Sequence, residues 1–107
     1  MVKSKTELFD TKIQEYAELY KALSHPARIS ILMYLAEIKI CITGDISGEL
    51  PLSRSTVNQH LAELKKANLI KGQIEGVNTK YCLNPDTIKR LKKISSQLFD
   101  KLDLPFN

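Results

Sequence analysis

The chain has 107 residues and a mass of 12.1 kDa, the usual size of one domain. Its 43% hydrophobic and 26% charged residues exclude a disordered or membrane-embedded protein. The opening MVKSKTELFD lacks the apolar run of a secretory signal, so we predict a cytoplasmic protein. Two cysteines are too few for a disulfide framework. The net charge of +4 permits a nucleic-acid partner, and the positive excess lies from Pro51 onward.

Apolar spacing predicts two helices in the first third of the chain. The first runs from about Thr6 to Leu23, where side chains recur at steps of three and four. The second begins at Ser24-His25-Pro26, because proline fits the first turn of a helix. The alternating isoleucines of residues 38–42 then predict a short strand or an extended passage.

The next segment predicts two more helices. A short helix is expected from Thr43 to Leu50, ended by Pro51. Ser53 is a good N-cap for a further helix that runs to about Ala67. That helix has an apolar face made of Val57, Leu61 and Leu64 and a polar opposite face.

A β-hairpin and a final helix complete the predicted order. Strands are expected at residues 69–74 and 79–83, joined by the turn Glu75-Gly76-Val77-Asn78. Asn68 is suited to a left-handed conformation at the end of the preceding helix. Asn84-Pro85-Asp86 predicts the cap and first turn of a last helix, which carries a long apolar stripe.

Three segments resemble one family. KALSHPARISILMYL (residues 21–35) resembles the opening signature of the ArsR/SmtB family of bacterial transcriptional repressors. DISGELPLSRSTVNQHLAELKKANLI (residues 45–70) is similar to its helix-turn-helix, and KGQIEGVNTKYCLNP (residues 71–85) looks like its wing. The resemblance implies a mainly α fold with a small β-hairpin. It further implies a single winged helix-turn-helix domain over residues 1–107, with the helix-turn-helix at about 43–67 and the wing at about 69–83.

The resemblance implies sequence-specific binding of double-stranded DNA through the polar face of the fourth predicted helix. Such a helix enters the major groove, where Arg54 is suited to guanine and Asn58 or Gln59 to adenine. The helix N-terminus suits a phosphate. The candidate DNA-binding residues are Ser53, Arg54, Ser55, Asn58, Gln59, Lys65, Lys71 and Lys80. Arg28 is expected to brace helices or touch a phosphate, and His60 to make either a structural hydrogen bond or a DNA contact.

From this resemblance we expect the chain to be a homodimeric repressor that binds an inverted-repeat operator. The first and last helices are expected to be its dimerisation helices. The alternative is a winged-helix protein-interaction module without sequence-specific DNA binding. An enzyme is not expected, because neither histidine neighbours a cysteine and no glycine-rich phosphate loop is present. The wing departs from many relatives, which carry arginine at the tip where this chain has Val77 and Asn78.

The signal to which such a regulator responds is left open by the sequence. The family's usual metal sites are incomplete, since residues 41–45 hold one thiol and residues 85–107 hold no histidine. We therefore predict neither a metal site of the usual kind nor a cofactor. Cys41 and Cys82 have three interpretations: inert packing, a redox or electrophile-sensing pair, or ligands of a metal or metalloid. If the first strand pairs with the second wing strand, the two cysteines could come within disulfide range.

Overall fold

The computed structural model describes residues 5–38, 41–43 and 46–105. Its α-helices are α1 (Thr11–Ala22), α2 (Pro26–Ile38), α3 (Arg54–Lys66) and α4 (Pro85–Leu102). Its strands are β1 (Ile42–Thr43), β2 (Ile70–Glu75) and β3 (Asn78–Leu83), which form an antiparallel sheet in the order β1-β3-β2. Short 3-10 turns lie at Lys5–Leu8 and Ser47–Glu49. No helix in these ranges is long and apolar enough to cross a membrane.

Two of the predicted boundaries near the N-terminus are wrong. The first helix does not run unbroken from Thr6, because a carboxylate oxygen of Asp10 accepts a hydrogen bond from the Lys12 N–H at 2.7 Å and starts α1 at Thr11. Helix α2 opens at Pro26 as predicted. It continues to Ile38, the residue at which a strand or an extended passage was expected to begin. Residues 39 and 40 of that predicted segment lie outside the described residues.

The predicted helix from Thr43 to Leu50 is also wrong. Thr43 belongs to β1, where it pairs with Lys80, and the described remainder holds only the 3-10 turn Ser47–Glu49. The beginning of this segment pairs with β3 and therefore lies in the sheet. At its other end, Pro51 disfavours helical geometry in the residue before it. Gly44 and Asp45 of the same prediction lie outside the described residues.

The hairpin agrees with the prediction to within one residue at each end. Strands β2 and β3 pair from Ile70↔Leu83 to Glu75↔Asn78. Gly76 has φ +62°, a conformation that side-chain-bearing residues rarely adopt, so a glycine suits this turn. Asn68 is left-handed at φ 61°, as predicted for the end of α3.

A single core joins all four α-helices to the hairpin. Its members are Leu19, Ala22, Ile31, Leu35, Ile46, Val57, Leu61, Leu64, Leu69, Ile70 and Ile94. Pro85 occupies the first turn of α4 as predicted, but the Asn84 side chain makes no capping hydrogen bond there. The Asn84 amide oxygen is instead buried without a hydrogen-bond partner. The core thus places α3 and the hairpin side by side.

Candidate nucleic-acid interface

Helix α3 is held by one face and exposes the other. Val57, Leu61 and Leu64 are at most 2% exposed. The helix begins where predicted, because the Ser53 hydroxyl oxygen accepts a hydrogen bond from the Thr56 N–H at 3.3 Å. The predicted DNA-binding residues on this helix are all exposed: Ser53, Arg54, Ser55, Asn58, Gln59 and Lys65.

The outer face of α3 has a centre and an edge. With 3.6 residues per turn, Ser55 and Gln59 lie opposite the buried face. Arg54, Asn58 and Lys65 lie along the edge beside the hairpin, because the Lys65 side chain crosses Gly72 of β2. A Cβ atom at Gly72 would come 3.3 Å from Lys65 Cδ. Helical spacing alone does not predict this contact, although an isolated glycine within a strand is a signal for close approach.

Arg28 ties three helices together. Its Nε donates a hydrogen bond to His60 Nδ1 of α3 at 3.2 Å. Its Nη1 lies 3.4 Å from the carbonyl oxygen of Lys21 and 3.5 Å from that of Ala22, at the C-terminal end of α1. Of the two roles expected for Arg28, the structure shows the bracing role.

His60 has a structural hydrogen bond, one of the two roles expected for it. It is 8% exposed, and its ring centroid lies 4.2 Å from that of His25. The His25 Nδ1 atom accepts a hydrogen bond from the Ala27 N–H at 3.0 Å in the first turn of α2. Burial, and then the positive charges of His25 and Arg28, lower the pKa of His60 below its ordinary value of 6.5.

The hairpin has a core face and an outer face. Ile70, Leu83 and Tyr81 point toward the core. Side chains alternate between the two faces along a strand, so Lys71, next to Ile70, and Lys80, next to Tyr81, point to the outer face. Lys80 Nζ is 3.9 Å from a carboxylate oxygen of Glu75, an exposed and weak ion pair.

The wing tip carries no arginine; Val77, at this point of the turn, is fully exposed.

Cys41 and Cys82 form a disulfide with a Cα–Cα distance of 4.4 Å. Strand register explains the pairing: Ile42 lies opposite Tyr81, so the preceding Cys41 lies opposite Cys82. Because side chains alternate along a strand, Cys82 faces away from the core-facing Tyr81 and Leu83. Both cysteines are half-buried. The bond joins the wing to the strand that leads into the helix-turn-helix.

Comparison with known proteins identifies the family. The model of the arsR family of bacterial regulatory proteins matches residues 25–71. An HTH-type transcriptional regulator, MJ1325 of Methanocaldococcus jannaschii, is 34% identical over 87 residues, covering 81% of this chain and 98% of that protein. The chain belongs to the ArsR family. This is a family of transcriptional regulators rather than of enzymes.

Two further relatives, one named an activator and the other a repressor, are also similar to this chain. The transcriptional activator HlyU of Vibrio cholerae is 30% identical over 81 residues, covering 76% of this chain and 74% of HlyU. Its solved structure superimposes with a TM-score of 0.66 over 85% of this chain and 98% of that chain, at 26% identity. The transcriptional repressor PagR of Bacillus anthracis is 29% identical over 82 residues, covering 77% of this chain and 82% of PagR. The fold is therefore the winged helix-turn-helix of ArsR-type, DNA-binding regulators.

Proposed function

We propose that the chain is a cytoplasmic, homodimeric repressor that binds an inverted-repeat operator. The observation that carries the proposal is the polar outer face of α3, which presents Ser55, Asn58 and Gln59 above an apolar face buried in the core. A helix of this kind fits the major groove, where such groups read base edges. Arg54 stands at the N-terminal end, which on such helices contacts the bases first.

The lysines supply contacts that do not depend on sequence. Lys65 lies at the edge of α3, and Lys71 and Lys80 share the outer face of the hairpin. Ammonium groups beside a groove-reading helix suit the phosphate backbone of the DNA that it contacts. We assign Lys65, Lys71 and Lys80 to phosphate and the exposed residues 54–59 of α3 to bases and phosphate.

The proposed dimer uses the exposed apolar ends of α1 and α4. Ile13 is 55% exposed, and Phe99 and Leu102 are about as exposed. The two helices are already joined by the Tyr20 and Ser95 hydroxyl groups at 2.6 Å and by the Arg90–Glu15 ion pair at 2.6 Å. The radius of gyration is 16.3 Å, against about 13 Å for a compact chain of this length. A second copy would cover these protruding apolar surfaces.

Repression follows from the architecture if the operator overlaps a promoter, because a bound dimer excludes polymerase from the same DNA. The alternative of a protein-interaction module is less favoured, since it leaves the polar face of α3 without a role. The test is selection of bound duplexes from a random library by the purified chain. We expect an enriched inverted repeat whose half-sites lie about one helical turn, ~34 Å, or a multiple apart; no enriched sequence would favour the interaction module.

A further inference from the structure

The face of the sheet that carries the disulfide also carries the proposed phosphate-binding lysines. Cys82 lies on β3, the central strand, with Cys41 beside it on one side and Lys71 of β2 beside it on the other. Lys80 shares this face two residues earlier on the same strand. The two sulfur atoms are thus part of the surface that we assign to DNA, rather than part of the core.

We propose that Cys41 and Cys82 form a dithiol site that reacts with hydroperoxides, and that its oxidation to the disulfide tightens DNA binding. The proposal rests on the proposed function for its DNA-binding part. It specifies a modification site and the oxidant class that it takes. It also chooses among the three interpretations that the sequence left open for these cysteines.

The position of Cys82 favours its reaction with peroxide. A thiolate is the attacking form of cysteine, and neighbouring ammonium groups stabilise it. Lys71 is the cross-strand neighbour of Cys82, and Lys80 is its neighbour along the strand, with Glu75 3.9 Å from the Lys80 ammonium as the nearby acid. Half-burial leaves the pair within reach of a small oxidant.

The reaction balances with one hydroperoxide per chain. The Cys82 thiol first releases its proton to solvent. The thiolate then attacks one peroxide oxygen, the O–O bond breaks, and the sulfur becomes a sulfenic acid while the leaving hydroxide takes up the released proton and becomes water. The Cys41 thiol then attacks the Cys82 sulfur, the S–O bond breaks, and the departing hydroxide leaves as water with the Cys41 proton. In sum, two thiols and one hydrogen peroxide give one disulfide and two water molecules.

Two consequences of the bond favour DNA binding. The Cys41–Cys82 bond closes a loop that contains α3 and β2, so it fixes the wing against the helix-turn-helix before DNA arrives. Pre-organisation of this kind lowers the ordering cost of binding. Oxidation also leaves Cys82 unable to ionise, so no negative charge can form on it beside Lys71 and Lys80 when their ammonium groups contact phosphates. In a cytoplasmic protein, such a disulfide is typically transient and redox-sensing rather than permanent.

The first experiment tests the chemistry without DNA. The reduced chain is titrated with hydrogen peroxide, and its thiols and mass are followed. We expect one equivalent of hydrogen peroxide to consume both thiols of each chain. The mass of the chain should fall by that of two hydrogen atoms, because the disulfide forms within one chain. Lys71→Gln should slow this reaction severalfold, whereas Lys101→Gln on α4, which is not part of the sheet, should not. Thiols that survive peroxide, or disulfides between chains, would overturn the proposed site.

The second experiment tests the link to DNA on the duplex selected by the oxidised chain. We expect the reduced chain to bind about tenfold more weakly, within the usual range for coupling between two sites. Peroxide should restore affinity in the parent but in neither Cys82→Ser nor Cys41→Ser, both checked for folding by circular dichroism. Equal affinity of the oxidised and reduced parent would overturn the regulatory inference. Failure of both forms to select any sequence would instead overturn the proposed function.

Discussion

At the scale of single residues, Arg28 and His60 show how a polar pair can orient the helix that we propose enters the major groove. The hydrogen bond between them at 3.2 Å crosses from α2 to α3, and the same guanidinium lies against the last carbonyl groups of α1. A buried hydrogen bond between elements has a defined direction, which apolar packing lacks. These residues therefore orient the face of α3 that we propose reads bases, although neither residue belongs to that face.

Arg54 is the residue whose removal best tests base reading. Arg54→Ala should weaken binding to the selected duplex by about 1–3 kcal/mol and relax the preference at one base pair, because a bidentate contact to guanine is lost. Affinity measured on the selected site and on single-base variants checks this. Lys92→Ala on α4 serves as the control. Unchanged affinity of the Arg54 variant would contradict the assignment of α3.

The lowered pKa of His60 makes stability depend on pH in a stated direction. Below pH 6.5 the unfolded chain protonates His60 first, while the buried, neutral form resists protonation in the folded chain. The free energy of unfolding should therefore be unaffected by His60 above about pH 6.5. It should decrease as the pH falls from about 6.5 toward the lower pKa that His60 has in the folded chain. Denaturant unfolding from about pH 7 to about pH 5 measures this. A slope of the same size in His60→Gln would show that another group is responsible.

At the scale of elements, α3 and the hairpin have separate tasks in the proposed complex. The outer face of α3 carries guanidinium, hydroxyl and amide groups in turn, which are suited to hydrogen bonds with base edges. The outer face of the hairpin carries Lys71 and Lys80, and its tip carries the fully exposed Val77 in place of an arginine. A wing of this composition attracts phosphate but is poorly equipped to read the minor groove by hydrogen bonds.

Removal of a wing lysine should affect all duplexes alike. Lys71→Ala or Lys80→Ala is expected to weaken binding to the selected site and to unrelated DNA by the same factor, because phosphates are common to both. Each variant should reduce the slope of log affinity against log salt by about 1. A salt titration on the two duplexes measures both quantities. Loss of affinity for the selected site alone would assign the lysine to base reading instead.

At the scale of the whole molecule, the core covers only part of each apolar stripe on α1 and α4. Ile94 is 5% exposed, but Leu98 and Leu102, further along the same stripe, are 40% and 59% exposed. On α1 the order is reversed, with Leu19 buried and Ile13 exposed. The chain thus folds around one half of each stripe and leaves the other half for the proposed partner copy.

A charge on the exposed half should dissociate the dimer. Ile13→Glu or Leu98→Glu is expected to give a monomer at concentrations where the parent is a dimer, because a carboxylate buried between protomers loses its hydration. Sedimentation at tens of micromolar measures the mass. Val77→Glu, an equally polar change at the exposed wing tip, is the control. A parent that sediments as a monomer with and without DNA would contradict the dimer.

Local signals in the sequence were sufficient for much of the fold. Helical spacing predicted α1, α2, α3 and α4, while Ser53, Pro26 and Asn68 marked helix ends through interactions within a few residues of themselves. The polar face of α3 and the family motif over it were likewise contained in one contiguous segment. Periodicity and capping are properties of neighbouring residues, so the sequence alone determines them.

Tertiary structure decided the features that depend on distant partners. Thr43 enters a strand because Lys80 lies opposite it, against the helix expected there. The direction of Cys82 depends on which face of the hairpin meets the core, and its partner Cys41 lies 41 residues away. Sequence periodicity shows that a residue can be buried, but burial and pairing require a second segment. Only the assembled core brings those segments together.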